Sequence, residues 1–364
     1  MASAVPEGTF DGKALPATGP YATASFTPHR EWVLVRNPQF HEWSRDAQPA
    51  GFPDRIVLKA APSNQVAALE HRAADVLLAP PLGGVDALAR RFASQVHIDP
   101  AGATVPLVMN TRVAPFDRLA VRQALNYAID RNRIARLTGS SLTAPPTCQV
   151  LPPTLPGYRP YCPYTLDPSP SGSWTAPDLA RAERLVAGSG TRGTKVTLLM
   201  TPPPPGTPML RIGRYVVSVL DRLGYRASLK VITNTGAGLG ELSDSSKRPQ
   251  IGWSNWLQDY PTPSNFIEPL FTCRSFVPRS QDNLNAAEFC DRRIDAQSAH
   301  AAALQARDPA AAGELWSRID HELVDRAPWV PVYNLRTVTV LGPRVGNYKY
   351  HPFWNVLLDQ LWVR

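Results

Sequence analysis

The chain has 364 residues, 43% of them apolar and 19% charged, which is enough for two lobes with separate cores and ordinary for a globular protein. No apolar run reaches the roughly 20 residues that span a bilayer, and the first residues have neither the basic start nor the apolar centre of a signal peptide. The net charge of +8 is carried by scattered side chains, without the basic stripe and stacking aromatics of a nucleic-acid-binding surface.

In chain order, Trp32 to Val35 reads as a strand that stops at Asn37-Pro38, and residues 55–60 as another, with Ile56 and Leu58 on one face. A helix is expected over 65–72, beginning after Ser63. The clearest helix is expected over 117–137, with Asp117 as its cap and Leu125, Ala128 and Ile129 at helical spacing. A long irregular stretch, 139–173, follows. A helix should then open at Pro177 and end at Gly188, followed by a strand over 195–200. Ile212, Val216, Val219 and Leu223 define an amphipathic helix stopped by Gly224, and residues 226–232 alternate as a strand. Helix, strand, helix, strand at this spacing indicates α/β layering. Residues 250–256 form a further strand candidate running into a turn at Asp259 to Pro263. Leu315, Ile319 and Leu323 make a helix stripe, and β-rich sequence follows from Pro328 to Leu341. Short proline runs, such as Pro152-Pro153 and the run over 202–205, punctuate loops.

Catalytic signatures fail on their letters. His321-Glu322 begins like a zinc-protease helix, but Asp325 stands where the second His belongs, so an exposed helix face is the simpler reading and a metallohydrolase the weaker alternative. Residues 188–195 resemble a phosphate loop but place Thr194 where Lys is required, and they follow a helix, so a helix cap and turn is expected. The seven histidines are dispersed, and neither a metal site nor a cofactor is expected. Cys148 with Cys162, and Cys273 with Cys290, are local pairs in segments that read as surface loops. Disulfides in an oxidising compartment are the preferred reading. The remaining chemistry lies in Trp253, Asn255, Trp256, Leu257, Asp259 and Tyr260. These residues either form a ligand wall, with strand backbone, stacking surface and one anion, or place tryptophans in the core with Asp259 opening a turn.

Several segments, in order, resemble the family-5 extracellular solute-binding proteins, the class that carries oligopeptides, dipeptides and nickel. They are Ala17-Thr18-Gly19-Pro20-Tyr21, Arg36-Asn37-Pro38, Val96-His97-Ile98-Asp99-Pro100, Asn110-Thr111 with Ala114-Pro115-Phe116, residues 121–131, residues 256–261 and Ala327-Pro328-Trp329-Val330-Pro331-Val332. The resemblance implies an α/β, two-lobed periplasmic-binding-protein architecture (type II, cluster C) in which the first part of lobe I and an inserted domain are missing. Residues 1–104 would be the later part of lobe I, 105–335 lobe II, and 336–364 the return to lobe I. It implies a monomeric, non-enzymatic carrier at the extracellular face of the cell membrane or in the periplasm. Such a carrier takes a small peptide or similar solute to the permease subunits of an ABC transporter, and binds no nucleic acid. Some actinobacterial relatives are fused to transcriptional-activator domains, so a cytoplasmic ligand sensor is the alternative. In the family's peptide binders an Asp shortly after a Trp meets the peptide α-ammonium. Asp259 matches that position, with the backbone of Asn255 to Leu257 pairing with the peptide.

Overall fold

The structure is a computed structural model that describes residues 16–60, 65–201, 209–232 and 240–364. The N-terminal reading, the helix start after Ser63 and the proline run over 202–205 lie outside the described residues. The chain divides into two compact units, one comprising 1–80, 88–97 and 338–364, the other 81–87 and 98–337.

The chain opens with an antiparallel sheet of β1 (Tyr21–Thr27), β2 (Glu31–Arg36) and β3 (Arg55–Lys59), in which Tyr21 pairs Arg36 and Trp32 pairs Leu58. Helix α1 (Gln65–Glu70), β4 (Val76–Leu78) and α2 (Val85–Arg91) lead to β5 (Val96–Met109). From residue 101 onward β5 is buried without interruption, which marks a central strand covered on both faces.

The helix expected over 117–137 is two helices, α3 (Leu119–Ala128) and α4 (Arg131–Thr138). Asp117 does not cap α3: Arg118 holds the cap position without a side-chain bond. The break falls at Ile129, which is extended, and Asp130, whose carboxylate accepts from the Arg133 amide and so starts α4. Helix α5 (Leu179–Ser189) begins after Asp178, which accepts from the Arg181 amide, and not at Pro177. It runs through Gly188 to a left-handed Gly190.

The next elements are β6 (Lys195–Met200), α6 (Met209–Arg222) and β7 (Arg226–Val231). Strands β6 and β7 are parallel, from Lys195 opposite Arg226 to Met200 opposite Val231, as expected when a helix makes the crossover. The single strand expected over 250–256 is β8 (Ile251–Trp253) and β9 (Trp256–Leu257), separated at Ser254-Asn255. Both pair antiparallel with β5, and β8 is also parallel to β6. Helices α7 (Ser264–Phe271), α8 (Arg292–Leu304) and α9 (Pro309–Arg326) follow, then β10 (Trp329–Leu341). Four two-residue strands close the chain: β11 (Val345–Gly346), β12 (Tyr350–His351), β13 (Asn355–Val356) and β14 (Trp362–Val363).

In the second unit the strand order is β10, β5, β8, β6, β7. Strand alternation splits its side chains between two cores. Leu107 and Met109 of β5, with Leu198 of β6, pack among Leu125 of α3 and Val216 of α6. Val108 and Leu199, on the opposite face, pack with Phe266, Phe271, Trp316 and Ile319 from α7 and α9. Helices on both faces of a sheet are the architecture that the alternating pattern predicts.

Candidate functional site

All six candidate residues lie in the second unit, at the end of β8, on β9 or beside it, but they are not equivalent. Trp253 is buried in the core, its ring 6.3 Å from that of Tyr333, so it belongs to the packing and not to an open wall. Trp256 is half-buried and donates its indole N–H to the Asn265 carbonyl at 3.1 Å. Asn255 and Asp259 are exposed, and Leu257 and Tyr260 each keep nearly half of their surface accessible.

The ladder with β5 sets which backbone groups remain available. Ser254 donates to the Pro106 carbonyl and Gln258 to that of Gly102, at 3.1 and 3.0 Å, with Trp256 opposite Thr104 between them. Successive residues of a strand point their N–H and C=O to opposite edges. The backbone groups of Asn255 and Leu257 therefore face away from β5, forming an edge that can accept an extended chain.

Asp259 is held in place by a residue absent from the sequence-level reading. The amide of Asp259 donates to Asn265 Oδ1 at 2.8 Å, and Asn265 Nδ2 donates to Asp259 Oδ2 at 2.9 Å. Asn265 is itself buried, near the start of α7. This two-point clamp leaves the other carboxylate oxygen without a partner among the described residues, directed by a rigid support. Only the fold reveals Asn265. Its signal in the sequence was a single polar residue between Ser264 and the apolar Phe266.

The cysteines pair as Cys148–Cys162 and Cys273–Cys290, with Cα separations of 5.1 and 4.4 Å. The first pair is not on the surface as its loop composition suggested, because Cys148 and Cys162 are both 4% exposed. The side chains around His321 are separately engaged. His321 Nε2 lies 3.0 Å from the Arg159 carbonyl and its ring stacks on Tyr161, while Asp325 accepts from the Tyr161 hydroxyl. Glu322 accepts from Gln297 and Arg293. Asp320, the residue before His321 but on the buried face of α9, was also not anticipated. It accepts from Gln149 Nε2 and from the amides of Val150 and Leu151, and burial pushes its carboxyl up to about 7.

The family model described as bacterial extracellular solute-binding proteins, family 5 Middle, matches residues 3–277. Heme-binding protein A of Haemophilus influenzae is 26% identical over 314 residues, covering 82% of this chain and 52% of that protein. The probable di/tripeptide-binding protein 5 of Pseudomonas aeruginosa is 24% identical, covering 92% of this chain and 59% of that protein. Among solved structures, clavulanic acid biosynthesis oligopeptide binding protein 2 aligns with a TM-score of 0.77 at 24% identity, over 95% of this chain and 63% of that one. The ABC transporter-associated periplasmic binding protein DppA of Helicobacter pylori, in complex with the peptide STSA, aligns with a TM-score of 0.70 at 19% identity, over 95% and 62%. The chain thus spans between half and two thirds of the length of these relatives, which are described as binding proteins and not as enzymes. The fold they share with it is the α/β, two-lobed type II periplasmic-binding architecture. With a family model matched over most of its length, the chain belongs to the family-5 bacterial extracellular solute-binding proteins.

Proposed function

We propose that the chain is part of a carrier that binds a small peptide or similar amine-bearing solute at β9 and delivers it to an ABC transporter. The carrier acts as a monomer outside the cytoplasmic membrane, with the permease subunits as its partners, and carries out no chemistry on its ligand. In this reading residues 105–335 are lobe II, and 1–104 with 336–364 belong to lobe I. The observation that carries it is the combination at β9 of an outward-facing backbone edge at Asn255 and Leu257 with a clamped, half-free carboxylate at Asp259. The edge suits the main chain of an extended peptide, and the carboxylate suits its ammonium end. Trp256 and Tyr260 supply apolar surface beside them. Relatives described as di/tripeptide-binding and dipeptide-binding support the ligand class.

The test compares a dipeptide with its N-acetylated form by calorimetry, on wild type and Asp259→Asn. Wild type should prefer the free amine at least tenfold, and Asp259→Asn should lose most of that preference. Equal binding of both ligands by both proteins would reduce Asp259 to a turn former.

A further inference from the structure

A cavity of about 390 Å³ lies within the second unit, at the lower end of the size range of small-molecule sites. It meets the β9 region through Gly102 and Ala103 of β5, which line the cavity and pair with β9 through their backbones. Its walls come from the irregular 139–173 stretch, the Trp174 segment and the end of β10, an assembly that no sequence motif marked.

The lining has a definite chemical character. Six prolines and two aromatics, Tyr158 and Trp174, give it flat apolar walls, and no carboxylate lines it. Two lining residues carry buried polar atoms with no hydrogen-bond partner, the indole N–H of Trp174 and the hydroxyl of Thr154. An indole N–H can only donate, and a buried donor left unmet is costly, so a site that retains one is suited to an acceptor.

Charge points the same way. Arg336 lines the cavity with its side chain exposed and forms no ion pair with a described residue. Behind the wall, Arg131 is fully buried and donates only to neutral oxygens: the carbonyls of Thr147 and Pro331 at 2.8 Å, and the carbonyl and side-chain oxygen of Asn126. Its guanidinium carbon lies 5.9 Å from the Trp174 ring centroid, and Thr147 and Trp174 both line the cavity. A buried cation without a counter-charge is costly, and in a low dielectric its field extends into the neighbouring space. One exposed cation, a second buried behind the wall, an unmet indole N–H and flat apolar walls border one volume.

We propose that this cavity is a binding site for a carboxylate attached to a flat apolar body. The carboxylate meets the Trp174 indole N–H and the Arg336 guanidinium, and the apolar part lies against the proline walls. The carboxylate comes either from a separate organic acid or from the far end of a ligand that also occupies β9. The chemistry is the same in both cases.

The probe is benzoate, with benzamide as its uncharged counterpart, titrated into the full chain and followed by indole N–H resonances. Trp174→Phe identifies the Trp174 signal. Benzoate should move that signal, bind at least tenfold more tightly than benzamide, and lose about tenfold in Arg336→Gln. The side chain of Arg336 is exposed and its removal leaves the core untouched. Equal affinity for benzoate and benzamide, or a Trp174 signal that benzoate does not move, would overturn the proposal. Benzoate has no amine, so these results stand or fall apart from the role of Asp259. A dipeptide added second separates the sources: displacement of benzoate assigns the carboxylate to the peptide end, and simultaneous binding assigns it to a separate acid.

Discussion

Asn265 should be energetically coupled to Asp259, and the size of the coupling can be worked from the two bonds between them. Asn265 is 3% exposed, accepts from the Asp259 amide at 2.8 Å and donates to the Asp259 carboxylate at 2.9 Å. A neutral hydrogen bond contributes about 0.5–1.5 kcal/mol net, and one to a charged group about 1.5–3 kcal/mol. Because Asp259 is exposed, water replaces much of the lost charged bond, which puts that bond at the low end. Asn265→Ala should therefore destabilise the protein by about 2–3 kcal/mol, with a small part from the vacated volume. Asp259→Ala removes only the carboxylate bond and should cost about 1 kcal/mol. If the clamp is real, the double variant is more stable than the sum of the singles predicts, by about 1 kcal/mol, in urea denaturation of the full chain. The same clamp predicts a functional signature. Asn265→Ala should weaken binding of a free-amine dipeptide more than binding of its N-acetylated form, because an unclamped carboxylate must be ordered by the ligand. Strict additivity of the two substitutions, together with equal loss for both ligands, would refute this account.

Asp320 should make stability depend on pH. Burial raises its folded-state value to about 7 from 3.8, so the folded chain holds a proton that the unfolded chain releases. Its contribution is complete below about pH 4 and is lost as pH rises through 7. Asp320→Asn should flatten that slope in urea midpoints measured from pH 4 to 7.5. Each disulfide closes a loop, with sequence separations of 14 and 17, worth roughly 3 kcal/mol in the chain-entropy model. The serine pair at 148 and 162 should cost more than the pair at 273 and 290, since Cys148 and Cys162 are buried and Cys290 is exposed. Equal midpoints for the two double variants would contradict this ranking.

The α/β pattern was legible because β6, α6 and β7 carry clean local signals: alternation over a few residues, an apolar stripe, and glycine stops. The break between α3 and α4 was hidden because apolar spacing continues through Ile129, while the competing bond from Asp130 to the Arg133 amide is specified by a single letter. The start of α5 was misplaced for a similar reason, a proline signal preceding the stronger Asp178 cap. At the site, composition alone could not tell Trp253 from Trp256. Trp253 in β8 packs into the core on one face of the sheet, and Trp256 in β9 packs half-buried against the core on the other. Asn265 and the cavity depend on segments distant in sequence meeting in space, which no local pattern encodes.

The outward edge at Asn255 and Leu257 is built from atoms that every amino acid except proline presents. Substitution there changes the side chain and leaves the pairing groups where they were, so drift at these positions is nearly silent to main-chain recognition. The positions sensitive to substitution are instead those that hold the edge in place: Gly102, whose φ is +60° and where a Cβ would lie 2.4 Å from the side-chain amide carbon of Gln258, and Asn265 beneath Asp259. An edge of this kind therefore tolerates a change of side chain as long as the residues beneath it keep the backbone in place.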